Sequence, residues 1–165
     1  MKKIFCLLLV FALLFTLFGC SKEQDKFIEP VSFYYRRAEL TYAQENSVIA
    51  TQLREGADFE DLPMLLQTYL KGPASDEFAQ TFPEGTQLIS ILFNGPVAEV
   101  VISNHINNLS ELERNIACSC ICMTVLALTD AQSVRIRVEA GLTQQSFLFD
   151  MRNNDIILKD QAEMP

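Results

Sequence analysis

Basic charge is scarce in this sequence: 13 Lys and Arg stand against 21 Asp and Glu, a net charge of −8 over 165 residues. A surface of that sign offers no counter-charge to nucleic acid or to anionic lipid headgroups, so neither is expected as an electrostatic partner. Histidine occurs once, as His105 in the polar stretch Asn104-His105-Ile106-Asn107, and nothing in the pattern fixes a base beside a nucleophile. There is no glycine-rich phosphate loop and no HExxH. The acidic pair Glu60-Asp61 reads as the polar lead-in to a helix. The sequence therefore assigns no catalytic residue and implies no cofactor, and the chain reads as a protein that is not an enzyme.

Paired cysteines are also lacking. Of the five, Cys6 and Cys20 belong to the N-terminal segment, which leaves Cys118, Cys120 and Cys122, an odd number spaced by single residues. No second Cys or His cluster completes a four-ligand set, so no metal site is expected. Their neighbours Ile116, Ala117, Ile121, Met123, Val125 and Leu126 are apolar, and no Lys or His is at hand to favour a thiolate. Three small buried thiols in a close-packed region is the simpler reading, a redox pair the sharper one.

What is present begins with Lys2 and Lys3 ahead of an apolar run from Ile4 to Phe15, the layout of an export signal. A bilayer core of roughly 30 Å needs about 20 apolar residues, more than this run supplies comfortably. Its end, Leu17-Phe18-Gly19-Cys20, resembles the bacterial lipoprotein signal, with Leu three residues before the cysteine and a small residue directly before it. Residues 1–19 are then a signal peptide and Cys20 the lipidated N-terminus; the alternatives are an ordinary signal or a short uncleaved anchor. Removing residues 1–19, with their two lysines, leaves 146 residues and a charge of −10. That is one domain, large enough to bury roughly two-thirds of its unfolded surface without disulfides or metal. Stable attachment through acyl chains requires two or more of them.

Residues 20–30 read as a tether. Val31, Phe33 and Tyr35 alternate as a strand does, and 47–53 is a second extended candidate. Leu62, Leu65, Leu66, Tyr69 and Leu70 recur at helical spacing, with Pro63 in the first turn and Lys71-Gly72-Pro73 as the stop. Phe82-Pro83-Glu84-Gly85-Thr86 is a turn feeding a strand over 87–93, and Asn94-Gly95 predicts a tight hairpin into 97–103. Ser110 to Glu113 is a capping box for a second helix that runs to Leu128. From Ile116 onward only Ser119 and Thr124 interrupt its apolar residues, so its later turns are expected to be buried nearly all round. One sheet cannot cover such a helix, and the face bearing Cys118, Cys122 and Val125 is expected to meet the C-terminal tail or another protein. Val134, Ile136 and Val138 alternate with Arg135 and Arg137 as a half-exposed antiparallel strand. Residues 142–165 form an extension: Ser146 to Met151 and Ile156 to Leu158 read as a final hairpin around Asn153-Asn154-Asp155, followed by a tail.

The order Leu70-Lys71-Gly72-Pro73, Pro83-Glu84-Gly85-Thr86, strands at Leu88 to Phe93 and Ala98 to Ser103, a helix ending near Thr129 and Val134 to Gly141 resembles the GerMN domain over residues 31–141; Tyr34-Tyr35 fits as well. The resemblance implies an α+β fold, a mostly antiparallel sheet with two helices packed on it, present here in a single copy. It implies a binding or scaffolding role with no known catalysis, in sporulation and germination proteins or small lipoproteins at the outer face of the cell membrane. Gly72, Pro73, Pro83, Gly85 and Ser103 carry over as structural residues. The partners expected are the membrane, through the lipid anchor, and an envelope protein or a second copy of the chain. The alternative is a lipoprotein that binds a small molecule or a cell-wall fragment. An exposed apolar patch near the second helix or on a free sheet edge would favour the first, and a pocket with convergent polar groups the second.

Overall fold

Val31–Arg36 forms β1 because its alternating Val31, Phe33 and Tyr35 can all turn to one face. In the computed structural model, which describes residues 30–39, 48–55, 61–139 and 148–152, these three are buried. β1 pairs antiparallel with β2 (Ile49–Arg54). Helix α1 (Leu62–Leu70) follows, with Asp61 as N-cap accepting a hydrogen bond from the Met64 N–H at 3.0 Å. Beyond its C-terminal end Gly72 sits at φ +112°, the conformation expected of the glycine in that stop. Strands β3 (Leu88–Asn94), β4 (Val97–Ile102), β5 (Ser133–Val138) and β6 (Leu148–Arg152) lie side by side in that order. Between β4 and β5 the chain passes through a short 3-10 helix (Asn104–Asn108) and α2 (Glu111–Leu128). The capping box is formed: the Glu113 N–H donates to Ser110 Oγ at 3.3 Å, and Glu113 Oε2 accepts from the Ser110 N–H at 3.2 Å. The Ser110 donors hold the Glu113 carboxyl below the usual carboxylate range.

The architecture is the α+β arrangement of two helices on mostly antiparallel strands, with three corrections. Strand β5 is antiparallel to β6 but parallel to β4, because an 18-residue helix carries the chain back to the starting end of the sheet before β5 begins. The hairpin turn is Gly95-Pro96, not Asn94-Gly95: Asn94 is already paired with Val97. Gly95 takes φ +59°, and proline holds Pro96 at negative φ, so a single positive-φ position serves. The third correction concerns α2. Ala117, Cys118, Cys120, Ile121, Cys122, Thr124 and Val125 are buried, but burial is not all round, since Ser119, Met123 and Leu126 are half-buried and Ala127 is exposed, and the cover is internal. The helix packs against β1 on one side and β5 and β6 on the other, so it leaves no thiol-bearing face for a partner. Cys20 and residues 153–165, with the second strand of the expected final hairpin, lie outside the described residues.

One contact shows how the sandwich closes. The outer edge of β1 faces α2, and its Tyr34 N–H would be orphaned there; the hydroxyl of Thr124 accepts it at 3.0 Å. Two residues on, the Arg36 N–H donates to Thr81 Oγ1 at 3.1 Å. On the buried face of β1 the rings of Tyr35 and Tyr69 stand 4.9 Å apart, and those of Phe33 and Tyr69 5.1 Å. The Tyr69 hydroxyl donates to the Tyr34 carbonyl at 2.7 Å, and the Tyr35 hydroxyl to the carbonyls of Tyr69 at 2.9 Å and Gly72 at 3.1 Å. Burial pushes both phenols well above their ordinary range, so they stay donors.

The same burial pushes the Cys118 and Cys120 thiols up from 9.0 to about 12, and Cys122 further. Folded-state pKa values above the unfolded ones mean that the native state holds protons the unfolded state gives up. Stability is therefore fully present below pH 9 and declines as the pH rises from 9.0 toward about 12, as urea titrations at successive pH values will read. In native protein at neutral pH, a thiol reagent labels these three cysteines more than about a hundredfold slower than in denaturant. Thr124→Val keeps the shape but strands the Tyr34 N–H, and a lower urea midpoint at unchanged m-value is expected, a loss of about 1–3 kcal/mol.

Candidate functional site

Two surface features stand out from this closed interior. The first is a groove of about 460 Å³ between the end of α1 and the segment running into β3, lined by Gln67, Lys71, Gln80, Glu84 and Gln87 over a floor that includes Leu70. It is where the two expected turns, Lys71-Gly72-Pro73 and Pro83-Glu84-Gly85-Thr86, come together. Each is fastened from behind. The Gly72 carbonyl accepts from Tyr35 Oη and, at 3.2 Å, from Arg54 Nη2. Gly72 itself is pressed by the Gln80 amide so closely that a side chain there would collide with it. Gly85 has φ +85°, and the Nε2 of His105 stands 3.0 Å from where its Cβ would be. The polar groups of the groove are largely committed: Gln67 Oε1 accepts from the Leu88 N–H at 2.9 Å, and Gln80 Nε2 donates to the Phe82 carbonyl at 3.0 Å.

His105 lies in the 3-10 helix, exposed on one side, with Nδ1 3.1 Å from Ser103 Oγ. Reading Ser103 from sequence as a strand end does not pair the two. Ser103 is buried, and its hydroxyl already accepts the Gln87 N–H at 3.0 Å while the Ser103 N–H donates to the Gln87 carbonyl at 2.9 Å. The pair clamps the base of the β3–β4 hairpin and turns the imidazole over Gly85. Residues Cys118, Cys120 and Cys122 are brought to the interior rather than to either surface feature.

The second feature is the outer edge of β3. Pairing places Ile91 and Phe93 opposite Val100 and Ala98, on the side of the sheet where β4 buries its residues, and Leu92 opposite Glu99 on the far face. Yet Leu92 is 62% exposed, Phe93 52% and Ile89 46%. Ile89 is the extra residue of a bulge, since Leu88 pairs with Ile102 and Ser90 with Val101. Elsewhere on the far face polar partners meet across strands: Arg135 reaches Asp150 at 3.1 Å and Arg137 reaches Glu99 at 2.9 Å. The β3 edge has nothing of the kind. No charged residue occurs from Gly85 to Ala98, and among the described residues no strand pairs along the outer side of Ile89 to Asn94. An alternating apolar strand was legible in the sequence; its place at the sheet edge was not, because neighbour order is set by the later crossover.

No helix of the described residues is long and apolar enough to cross a membrane. Among the described residues, no three His, Cys, Asp or Glu side chains are grouped to hold a metal ion.

The tandem GerMN domains of the sporulation protein GerM from Bacillus subtilis superpose on this fold with a TM-score of 0.51 at 19% identity, over 68% of this chain and 39% of that one. This chain thus spans about two-fifths of the length of that protein, and the likeness is one of fold. A candidate lipoprotein from Clostridium perfringens aligns at a TM-score of 0.47 with 20% identity, over 78% of this chain and 91% of that one. No curated protein matches the sequence significantly. The sequence model of the Germane family, described as sporulation and spore germination, matches residues 32–140. That span takes in the strands β1 to β5, both helices and both turns at the groove, and the chain belongs to the Germane family, with a GerMN-like domain.

Proposed function

We propose that this chain is a lipid-anchored protein at the outer face of the cell membrane, tethered through Cys20, whose domain binds a protein partner along the open edge of β3. Sporulation, germination and envelope assembly are the settings that the family suggests. The observation that carries the reading is the exposure of Ile89, Leu92 and Phe93 on an edge free of charge. Unpaired backbone groups along such an edge give affinity to any strand laid against it, and the flanking apolar side chains add burial. The reading assigns no catalysis to the chain. A tether of about ten residues beyond Cys20 keeps the domain within roughly 35 Å of the bilayer, so partners are sought among envelope proteins.

A second reading, capture of a small molecule or a cell-wall fragment, has one observation in its favour: the groove beside Lys71 and Glu84. Because its amides already hold the backbone in place, ligand binding there has fewer free polar groups to use.

In cells producing the full chain, labelling with a palmitate analogue and recovery in the membrane fraction are expected, and Cys20→Ala loses both. A photo-crosslinker at Leu92 captures a defined protein, whereas one at the equally exposed Leu112 captures none. If the groove reading holds instead, cell-wall fragments raise the melting temperature, Lys71→Ala with Glu84→Ala abolishes that rise, and crosslinking at Leu92 yields nothing.

A further inference from the structure

The fold treats its strand edges unequally. Along β1, the outward N–H groups of Tyr34 and Arg36 are taken by the hydroxyls of Thr124 and Thr81. At the start of β3, the Leu88 N–H is taken by Gln67. Among the described residues, that cover stops from Ile89 to Asn94. The devices that normally blunt such an edge are a lysine, a proline within the strand or an inward charge, and β3, with the sequence LISILFN, has none of them. Its one irregularity, the bulge at Ile89, lies next to the end that Gln67 already covers.

Charge and register indicate what fits there. A chain of net charge −8 repels its own copies wherever acidic surface meets acidic surface. Gly85 to Ala98 is a charge-free stretch of chain, so β3 itself brings no acidic side chain to the seam when two copies approach along it. Two β3 strands laid antiparallel about a two-fold axis at Ile91 set Ile91 beside the partner's Ile91, Ile89 beside the partner's Phe93 and Ser90 beside the partner's Leu92. Ile91 with Ile91 and Ile89 with Phe93 are apolar pairs. The contact is isologous, so it closes at two copies and leaves no further β3 edge to recruit a third. The ion pairs Arg135–Asp150 and Arg137–Glu99 neutralise the far face pairwise within each copy, so joining the sheets brings no new like charges together.

We propose that the β3 edge pairs antiparallel with β3 of a second copy, making one eight-stranded sheet across a two-fold axis at Ile91. This rests on the reading of the edge as a protein-binding surface and names its occupant.

The test uses the full chain with its own leader, in membranes. Residues facing each other in an antiparallel pair have Cα atoms about 4.5–5.5 Å apart, within disulfide reach. Ile91→Cys is therefore expected to convert most of the chain, under mild oxidation, to a reducible species of twice the monomer mass. Asn94→Cys alone gives none, because the two copies of residue 94 lie roughly 20 Å apart in this register. Mixed Ser90→Cys and Leu92→Cys chains do form it. Leu92→Lys added to Ile91→Cys lowers the crosslinked fraction about tenfold. Slow labelling of the buried thiols shows whether each variant is folded. Absence of the disulfide-linked dimer in a folded Ile91→Cys variant overturns self-pairing; if the photo-crosslinker at Leu92 then captures a different protein, the protein-binding reading stands, and if it captures nothing, both fall. A dimer from Asn94→Cys alone overturns the register at Ile91.

Discussion

Helix α2 buries all three of its thiols and most of the stretch from Ala117 to Val125, and the rest of the fold answers that constraint. Its buried residues from Ala117 to Val125 spread over more than half of the circumference, leaving only the stripe of Ser119, Met123, Leu126 and Ala127 partly open to water, so a single sheet could not cover them all. The chain supplies two covers: β5 and β6 on one side and β1 on the other. Bringing β1 against a helix rather than another strand would leave its edge N–H groups unsatisfied in a dry interface, at a cost of about 1–3 kcal/mol each. Thr124 resolves this from within the apolar run, and Thr81 does so one step along. The two polar interruptions in α2 are thus not equivalent: Ser119 folds its hydroxyl back onto the Asn115 carbonyl at 2.9 Å, while Thr124 joins two parts of the molecule 90 residues apart.

With the interior closed in this way, the surface is left with a polar groove and an apolar edge. The groove is built from turns whose glycines are held by Tyr35, Arg54 and Gln80 on one side and His105 on the other. Those contacts explain why Gly72 and Gly85 occur where they do without calling on a ligand. The edge of β3 has no comparable internal explanation. A strand that exposes Leu92 and Phe93 along an edge with no strand partner among the described residues lowers the solubility of a monomer. Under the proposed tether at Cys20, which would hold copies at high local concentration, such an edge is suited to assembly.

Local chemistry was readable directly. The capping box at Ser110 and Glu113, the stop at Gly72, the Asp61 lead-in and the alternation of β1 and β5 all depend on residues within a turn or two of one another, and each lies where the pattern puts it. The family, too, could be read from the order of such signals. What depends on distant residues was harder. Alternating burial in β5 fits a parallel and an antiparallel neighbour equally well, and only the crossover through α2 decides that β4 is parallel to it. That α2 buries more than one sheet can cover was plain from composition, although the stripe of Ser119, Met123, Leu126 and Ala127 stays partly wet; the identity of its second cover was not, since β1 lies far ahead of it in the chain and the link is a threonine hydroxyl. The hairpin turn shifted by one residue because Asn94 serves as a strand residue and Pro96 tolerates the second turn position. The Ser103–His105 clamp escaped notice because two residues apart in a polar loop is an unremarkable spacing.

Native-state hydrogen exchange on the full chain, diluted in detergent until monomeric, separates the closed edge from the open one. The Tyr34 and Arg36 amides are expected to exchange as slowly as those in the middle of α2, through global unfolding alone, while the amides of Ser90 to Asn94 that point away from β4 exchange rapidly. Uniformly slow exchange along Ser90 to Asn94 in the monomer, or fast exchange at Tyr34 and Arg36, would overturn that division of the strand edges.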